Sequence, residues 1–247
     1  MKAQGNTILV TGGGSGIGRA LAQRWADRGN KVIVAGRRRD ALEGSVDGRP
    51  NMHAVELDVT SADDIARFAS EVVAAHPDLN VLVNNAGIMR REDPTTKRDL
   101  ANMDATIVTN LLGPIRLTDA LVDHLKAQEG SAIVNVTSGL AFVPLPATAT
   151  YSATKAAMHS YTLSLREQLK GAVEVIELAP PAVQTDLTPG QSTREGYQPL
   201  DDFADEVIAL FDQQPTPPEI LVQNVLPLRH AERDGTVQAA LDRFAAY

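Results

Sequence analysis

Cysteine is absent from the 247 residues, which removes disulfides, thiolate nucleophiles and thiolate metal ligands from consideration. A cytoplasmic setting fits that composition. Positive charge is in deficit: 23 lysines and arginines against 31 acids leave a formal net charge of -8. Nucleic acid and anionic membrane both attract basic surfaces, so neither is expected as a partner. Long apolar runs are missing too. Thr7 to Val10, near the start, is far too short for a signal peptide or a membrane span. No low-complexity linker divides the chain, and no internal repeat stands out. The five histidines, His53, His76, His124, His159 and His230, are scattered without a pair at metal-ligand spacing, so no metal is expected.

What is present is enough apolar sequence, 43%, to bury one large core, and residues 1–247 are read as a single domain. Short β-branched runs alternate with helical patterns. Strands are expected at Thr7–Val10, Lys31–Ala35, Val55–Val59, Val81–Val83, Ala132–Thr137, Val173–Ala179 and Glu219–Val222. A parallel strand buried on both faces reads as a continuous apolar run, as these do. Alternation with right-handed crossovers implies an α/β, doubly wound Rossmann-type sheet of about seven strands in the order 3-2-1-4-5-6-7, in three layers, with ligand at the strand C-terminal ends. Helices are expected over Arg19–Arg28, from Ser61 to Ala75, over Leu100–Gly113, over Tyr151–Leu169 and over Glu206–Phe211. Ser61 with Asp64 three residues on is close to a capping box.

Two stretches carry chemistry. The first strand runs directly into Thr11-Gly12-Gly13-Gly14-Ser15-Gly16-Ile17-Gly18 and then a helix. Glycines there let backbone N–H groups approach a phosphate, and the helix N-terminus adds unpaired donors and a favourable dipole. Gly12, Gly16 and Gly18 are spaced G-x-x-x-G-x-G, which is not the general G-x-G-x-x-G dinucleotide fingerprint. The second stretch is Tyr151 and Lys155, which stack at i, i+4 on one helix face. A neighbouring cation favours the phenolate, so the lysine is expected to lower the tyrosine pKa and make an acid/base device. Ser138, at the end of the preceding strand, has a hydroxyl able to polarise a substrate oxygen. His159 shares the Tyr151 face about 12 Å further along and is read as a packing or interface residue.

Taken in order, the glycine run Thr11–Gly18, Asn84-Asn85-Ala86-Gly87, Asn110, Ser138 and the Tyr151/Lys155 pair resemble the short-chain dehydrogenase/reductase family, close to its classical type, over nearly the whole chain. The resemblance implies hydride transfer between a nicotinamide cofactor and a carbonyl or secondary alcohol. It makes Asn110, Ser138, Tyr151 and Lys155 the catalytic set, Tyr151 as general acid for reduction. Lys155 also binds the nicotinamide ribose, and Asn110 wires that lysine through a water toward solvent. The cofactor set it implies is Gly12, Ser15, Gly16, Ile17, Gly18, Asp58, Val59, Asn85, Ala86, Gly87, Tyr151, Lys155, Pro180, Val183 and Thr185. Asp58 contacts the adenine edge or else caps its own turn, and Asn84 and Gly87 are structural as much as functional.

Cofactor choice is read from Gly36-Arg37-Arg38-Arg39 at the end of the second strand. An NAD enzyme places an acid near here, whereas arginine accommodates the 2'-phosphate of NADP. Arg37 and Arg38 therefore predict NADP(H) over NAD(H), with Arg39 a solvated turn residue. Pro181 stands where the family has glycine, fixing φ and removing an N–H beside Thr185, which resembles the residue that meets the nicotinamide carboxamide. Leu140, Phe142, Val143 and Leu145 make an apolar wall, and residues 186–200 read as a substrate loop or lid. The tail from Asp234 is amphipathic and is assigned to a partner subunit, in keeping with a homodimer or homotetramer. The rival reading is a dinucleotide sensor or scaffold of the same fold without turnover, and the substrate itself is not legible.

Overall fold

Side-chain alternation within each strand decides the layers. In β1 (Thr7–Thr11) Ile8 and Val10 join one apolar cluster and Leu9 the other. The same split recurs in β2 (Lys31–Gly36), β4 (Val81–Asn84) and β5 (Ala132–Val136), where Val32, Val83 and Val134 face the first cluster and Ile33, Leu82 and Ile133 the second. Successive strand residues point to opposite faces, so a strand apolar at every position must be covered on both sides. The computed structural model, which describes residues 1–245, meets that demand with helices on both faces.

The sheet has seven parallel strands in the order β3-β2-β1-β4-β5-β6-β7, with β3 (Met52–Glu56), β6 (Glu174–Leu178) and β7 (Glu219–Ile220) completing it. On one face lie α1 (Gly16–Asp27) and α7 (Leu200–Phe211), joined by an edge-to-face contact of Trp25 with Phe211 at 5.6 Å. On the other, α3 (Ala62–Ala75) brings the fully buried Phe68, and α5 (Gly113–Lys126) brings Leu117, Leu121 and Leu125. Each such side chain contributes about 1.5–3 kcal/mol on burial. Short α2 (Arg39–Val46) follows β2, α4 (Ala101–Ile107) precedes α5, and α6 (Ala149–Gln168) packs on β6.

Three expectations shift. The third strand lies at Met52–Glu56 rather than Val55–Val59, because as an edge strand it is buried at Met52 and largely exposed beyond it, leaving the alternation of Val55, Leu57 and Val59 to the strand end and the turn after it. The helix from Leu100 does not stop near Gly113. It passes through a π turn at Val108–Leu112 and continues as α5, with Pro114 directly after the π turn. The capping box at Ser61 is half formed: Ser61 Oγ accepts from Asp64 N at 3.2 Å, but Asp64 reaches back to the backbone N–H of Asp58, at 2.7 Å.

The order reverses beside β1, whose neighbours are β2 and β4. In an open α/β sheet the crevice beyond the C-terminal ends of such strands is where ligands bind. No described helix is long and apolar enough to cross a membrane.

Candidate active site

The glycine turn at the end of β1 is shaped by contacts that only hydrogen permits. A Cβ on Gly18 would sit 2.5 Å from Gly12 O and 2.4 Å from Asn85 Nδ2, and one on Gly12 would meet Ala86 Cα at 2.9 Å, while Gly12 also has φ +68°. The backbone therefore closes on itself and leaves the N-terminus of α1 facing an open cleft of about 510 Å³. Gly12, Ser15, Gly16, Ile17 and Gly18 all line it. So do Val59, Asn85, Ala86 and Gly87 at the other strand ends, and Pro180, Val183 and Thr185 beyond β6. Asn85 holds the turn as well: its Nδ2 donates to Thr11 O at 2.9 Å, and Thr11 Oγ1 accepts from Asn85 N and Ala86 N.

Asp58 is not among the lining residues. Its Oδ1 accepts from Thr60 N and Thr60 Oγ1 at 2.9 and 2.7 Å, the turn-capping role, while Leu57, Val59 and Thr60 face the cleft. Asn84 is buried and tied to Thr118 and Asn135, which makes it a sheet residue, whereas Gly87 reaches the cleft.

At the end of β2 the three arginines separate. Arg39 is taken by Glu43 at 2.8 Å and Glu56 at 3.8 Å. Arg37 and Arg38 are exposed and line the cleft with Gly36, Arg38 touching Ser15 Oγ at 3.4 Å. Two guanidinium groups beside a glycine turn and a helix N-terminus suit a ligand with more than one phosphate.

Across the cleft Ser138, Tyr151 and Lys155 converge, each less than a tenth exposed. The Ser138 hydroxyl faces Tyr151 closely enough to favour its ionised form, and Ser138 Oγ accepts from Leu140 N at 3.1 Å. The expected lowering of the tyrosine pKa is not found. Burial pushes Tyr151 up to about 12, only partly offset by Ser138. Burial also brings Lys155 down to about 8. The reason is geometric: Lys155 Nζ donates to Val136 O at 2.7 Å and stands 5.6 Å from the Tyr151 ring centroid. The lysine grips the end of β5 instead of the phenol.

Asn110 lies in the π turn, where the widened backbone turns its side chain inward. Its Oδ1 accepts from Ile88 N at 2.9 Å and its Nδ2 donates to Ile88 O at 2.8 Å, pinning the segment after Gly87, with a longer contact to Thr154 at 3.4 Å. Glu92 is a residue the sequence reading missed. Its carboxylate accepts from Thr150 N and Thr150 Oγ1, so it caps the helix that carries Tyr151. A charge at a helix N-terminus is favoured, but no local spacing announces a cap from 58 residues upstream.

A second cavity of about 530 Å³ adjoins the first and shares Ser138 and Tyr151 with it. Leu140 and Leu145 give it an apolar wall, and the 186–200 loop forms another side. Pro181 borders both cavities, and just after it Gln184 and Gln198 pair through the backbone at 2.9 Å, closing the base of that loop. Gln191, also missed, ties the loop down: its Nε2 donates to Val183 O at 2.8 Å and Thr185 Oγ1 at 3.2 Å.

The apolar face of the tail packs on its own chain. After short α8 (Leu226–Arg229), α9 (Val237–Ala245) folds back on its own chain. Ala240 packs with Val143 and Ala231, and Arg243 and Phe244 border the second cavity; Ala246 and Tyr247 lie outside the described residues. The amphipathic pattern was visible, but which surface it covers depends on a contact almost 100 residues away in sequence.

Residues 6–196 match the family described as short chain dehydrogenase. The chain is 42% identical to the uncharacterized oxidoreductase DltE of Bacillus subtilis (strain 168) over 79% of each protein. A short chain dehydrogenase from Burkholderia cenocepacia J2315, solved in complex with NADP, is similar at a TM-score of 0.83 and 28% identity over 99% of both chains. The 3-ketoacyl-(acyl-carrier-protein) reductase from Brucella melitensis, complexed with NADH, is similar at 0.78 and 26% identity over 88% of this chain and 96% of that one. These two neighbours hold different nucleotides.

Proposed function

Given that the chain belongs to the short-chain dehydrogenase family, we propose that this oxidoreductase is an NADP(H)-dependent reductase of ketones or aldehydes, with Asn110, Ser138, Tyr151 and Lys155 as its catalytic set. The observation that carries this reading is the meeting of two cavities at one hydroxyl pair, Ser138 and Tyr151. The first cavity has the phosphate cradle and the two arginines, and the second has apolar walls for a small molecule. The fit of a dinucleotide rests on the glycine positions a Cβ would block and on the guanidinium pair that borders the cleft at the end of β2.

When bound, the reduced nicotinamide supplies the hydride. Ser138 then holds the substrate oxygen by a hydrogen bond, and Tyr151 donates its phenolic proton to that oxygen as negative charge develops there. A phenol kept neutral by burial is a proton donor in waiting. Lys155, which donates to a backbone carbonyl, can turn from Val136 O to a ribose hydroxyl and stabilise the phenolate formed after transfer. Asn110 fixes Ile88 in the wall of the first cavity, next to Met89, which borders both. A sensor or scaffold of the same fold gains nothing from the Ser138–Tyr151 contact.

The exposed side of α6 supports assembly into a homodimer or homotetramer. Ala153, Ala156, Ser160 and Leu163 are exposed at helical spacing, with Leu163 at 42%, while Leu165 turns inward to the core. Small residues with one leucine let two helices approach closely. A monomeric mass by light scattering at micromolar concentration would contradict this.

The function is tested by following nucleotide oxidation across aldehydes and ketones, and reduction across secondary alcohols, for wild type and Tyr151→Phe. The variant is expected to lose on the order of 10²–10⁴ in kcat. Its nucleotide Kd should be kept, because the ring still packs. Turnover near the wild-type rate would remove Tyr151 as the acid.

A further inference from the structure

The second cavity is positively charged in a negatively charged protein. Acids outnumber bases by 31 to 23 over the chain, yet Arg91, Arg194 and Arg243 border this cavity against one acid, Glu195. They arrive from three separate places, the segment after β4, the 186–200 loop and α9. All three are exposed at the rim, whereas the inner walls near Ser138 and Tyr151 are apolar at Leu140 and Leu145. Arg194 is also steadied against the Tyr197 ring at 5.3 Å.

A low-dielectric cavity bordered by one sign of charge concentrates field lines and raises the local concentration of the opposite sign. Guanidinium forks match planar or tetrahedral oxyanions better than an ammonium does. We propose that the substrate is an anionic carbonyl compound, in which a short apolar stretch separates the reacting C=O at Ser138 and Tyr151 from a carboxylate, sulfonate or phosphate held at the arginine rim. This rests on the carbonyl-reductase reading above and narrows it to a substrate class.

Three consequences are measurable. The kcat/KM for 5-oxopentanoate should exceed that for its methyl ester by roughly tenfold or more at low ionic strength. That ratio should fall toward one between 20 mM and 500 mM NaCl, because rim charges are screened beyond a Debye length of about 10 Å at 0.1 M. In Arg194→Gln/Arg243→Gln the acid-to-ester ratio should collapse at low salt, with the melting temperature as the control for folding. The sulfonate and phosphate analogues, run beside the acid, show which oxyanion fits best. An ester used as well as the acid, or a preference that survives both the salt and the double variant, overturns the proposal. If neither compound is reduced, the reductase reading fails on its own, and glutarate binding to the enzyme–NADP⁺ complex by calorimetry decides the anion site. Salt-sensitive binding lost in the double variant upholds it, and no binding overturns it.

Discussion

His159 Nδ1 lies 2.7 Å from Glu177 Oε2, and Glu177 has no solvent exposure. The other carboxylate oxygen accepts from Thr137 Oγ1 at 2.6 Å. Glu177 and Glu219 are register partners on β6 and β7, and like charges side by side in a sheet repel. Each acid has its own partner: Glu219 is forked by Arg229 at 2.9 and 3.2 Å, and Glu177 has His159. The three ligand-type groups of His159, Glu177 and Glu219 lie within 4.8 Å of one another, but they are engaged in these bonds. Phe142 stands at a steep angle to the His159 ring at 5.0 Å and has Arg229 over its own ring at 4.9 Å, so the network supports the loop that follows Ser138.

The first prediction follows from that burial. His159→Leu leaves a buried carboxylate with a lost partner and should destabilise by about 1–3 kcal/mol. Replacing both groups with apolar ones, His159→Leu/Glu177→Met, should recover part of the loss, because the buried carboxylate is gone while the Thr137 hydroxyl keeps only its 3.5 Å contact with Leu178 O. Urea melts of the two single variants and the double supply the cycle. Simple additivity would mean the pair is not coupled.

A second prediction concerns two glycines that look alike in sequence and differ in space. Gly18→Ala places a methyl 2.4 Å from Asn85 Nδ2 and 2.5 Å from Gly12 O, so the phosphate turn must open. About 1–3 kcal/mol of stability should be lost, with weaker nucleotide binding. Gly44, inside α2, has nothing within 4 Å of the added Cβ. Gly44→Ala should stabilise by roughly 0.5–1 kcal/mol, with nucleotide Kd unchanged. A Gly18→Ala protein that melts and binds like wild type would show that the close approach is not needed.

The strands, the glycine turn and the helix of Tyr151 were legible because each is announced by a local pattern, and the sheet order followed from the alternation of strands with helices. Continuous apolar runs mark strands covered on both faces, and the glycine spacing and the Tyr151/Lys155 step are short-range signals. What was misplaced depends on remote contacts. The end of β3 moved because an edge strand is covered unevenly. Glu92, Gln191 and α9 reach the site only through the tertiary fold. The direction of the Tyr151 shift was misread because i, i+4 spacing fixes where two side chains start and not where Lys155 ends, at the Val136 carbonyl.

Burial of Lys155 yields a third prediction, in pH. The folded chain holds this proton with a pKa near 8, below the usual 10.5 for lysine. Between those values the unfolded state binds more protons, so stability rises with pH there. Below about 8 both states are protonated and the cost of the buried charge is fully present. The window is worth at most about 3 kcal/mol at 1.36 kcal/mol per pKa unit. Lys155→Met should therefore melt above the wild type at pH 7, with the gap closing toward pH 10. Above pH 10 the raised pKa of Tyr151 works the other way in both proteins, since the unfolded phenol ionises first and stability declines. Calorimetric melts of both proteins from pH 7 to 10 check this, and a gap independent of pH would show that Lys155 is not buried as a cation.

The last prediction is the nucleotide, and it rests on the division of labour at the end of β2. Arg39 is held by Glu43 and Glu56, while Arg37 and Arg38 remain at the cleft. A 2'-phosphate carries close to two negative charges that these forks can meet, whereas NADH offers only hydroxyls there. Arg37→Ala/Arg38→Ala should weaken NADPH by about 10- to 100-fold, the modest end for exposed groups, and leave NADH nearly unchanged. Gly36→Asp is the complementary change. A Cβ there meets only Leu42 Cδ2 at 3.6 Å, ordinary contact, and the glycine has no positive φ, so the aspartate fits without strain. Its carboxylate would accept from the adenosine ribose hydroxyls and repel the phosphate, shifting preference toward NADH. Direct titration of both nucleotides into the three proteins gives the comparison. A wild type that already favours NADH, or a double variant that loses both nucleotides equally, would leave Arg37 and Arg38 as a solvated turn and end the NADP assignment.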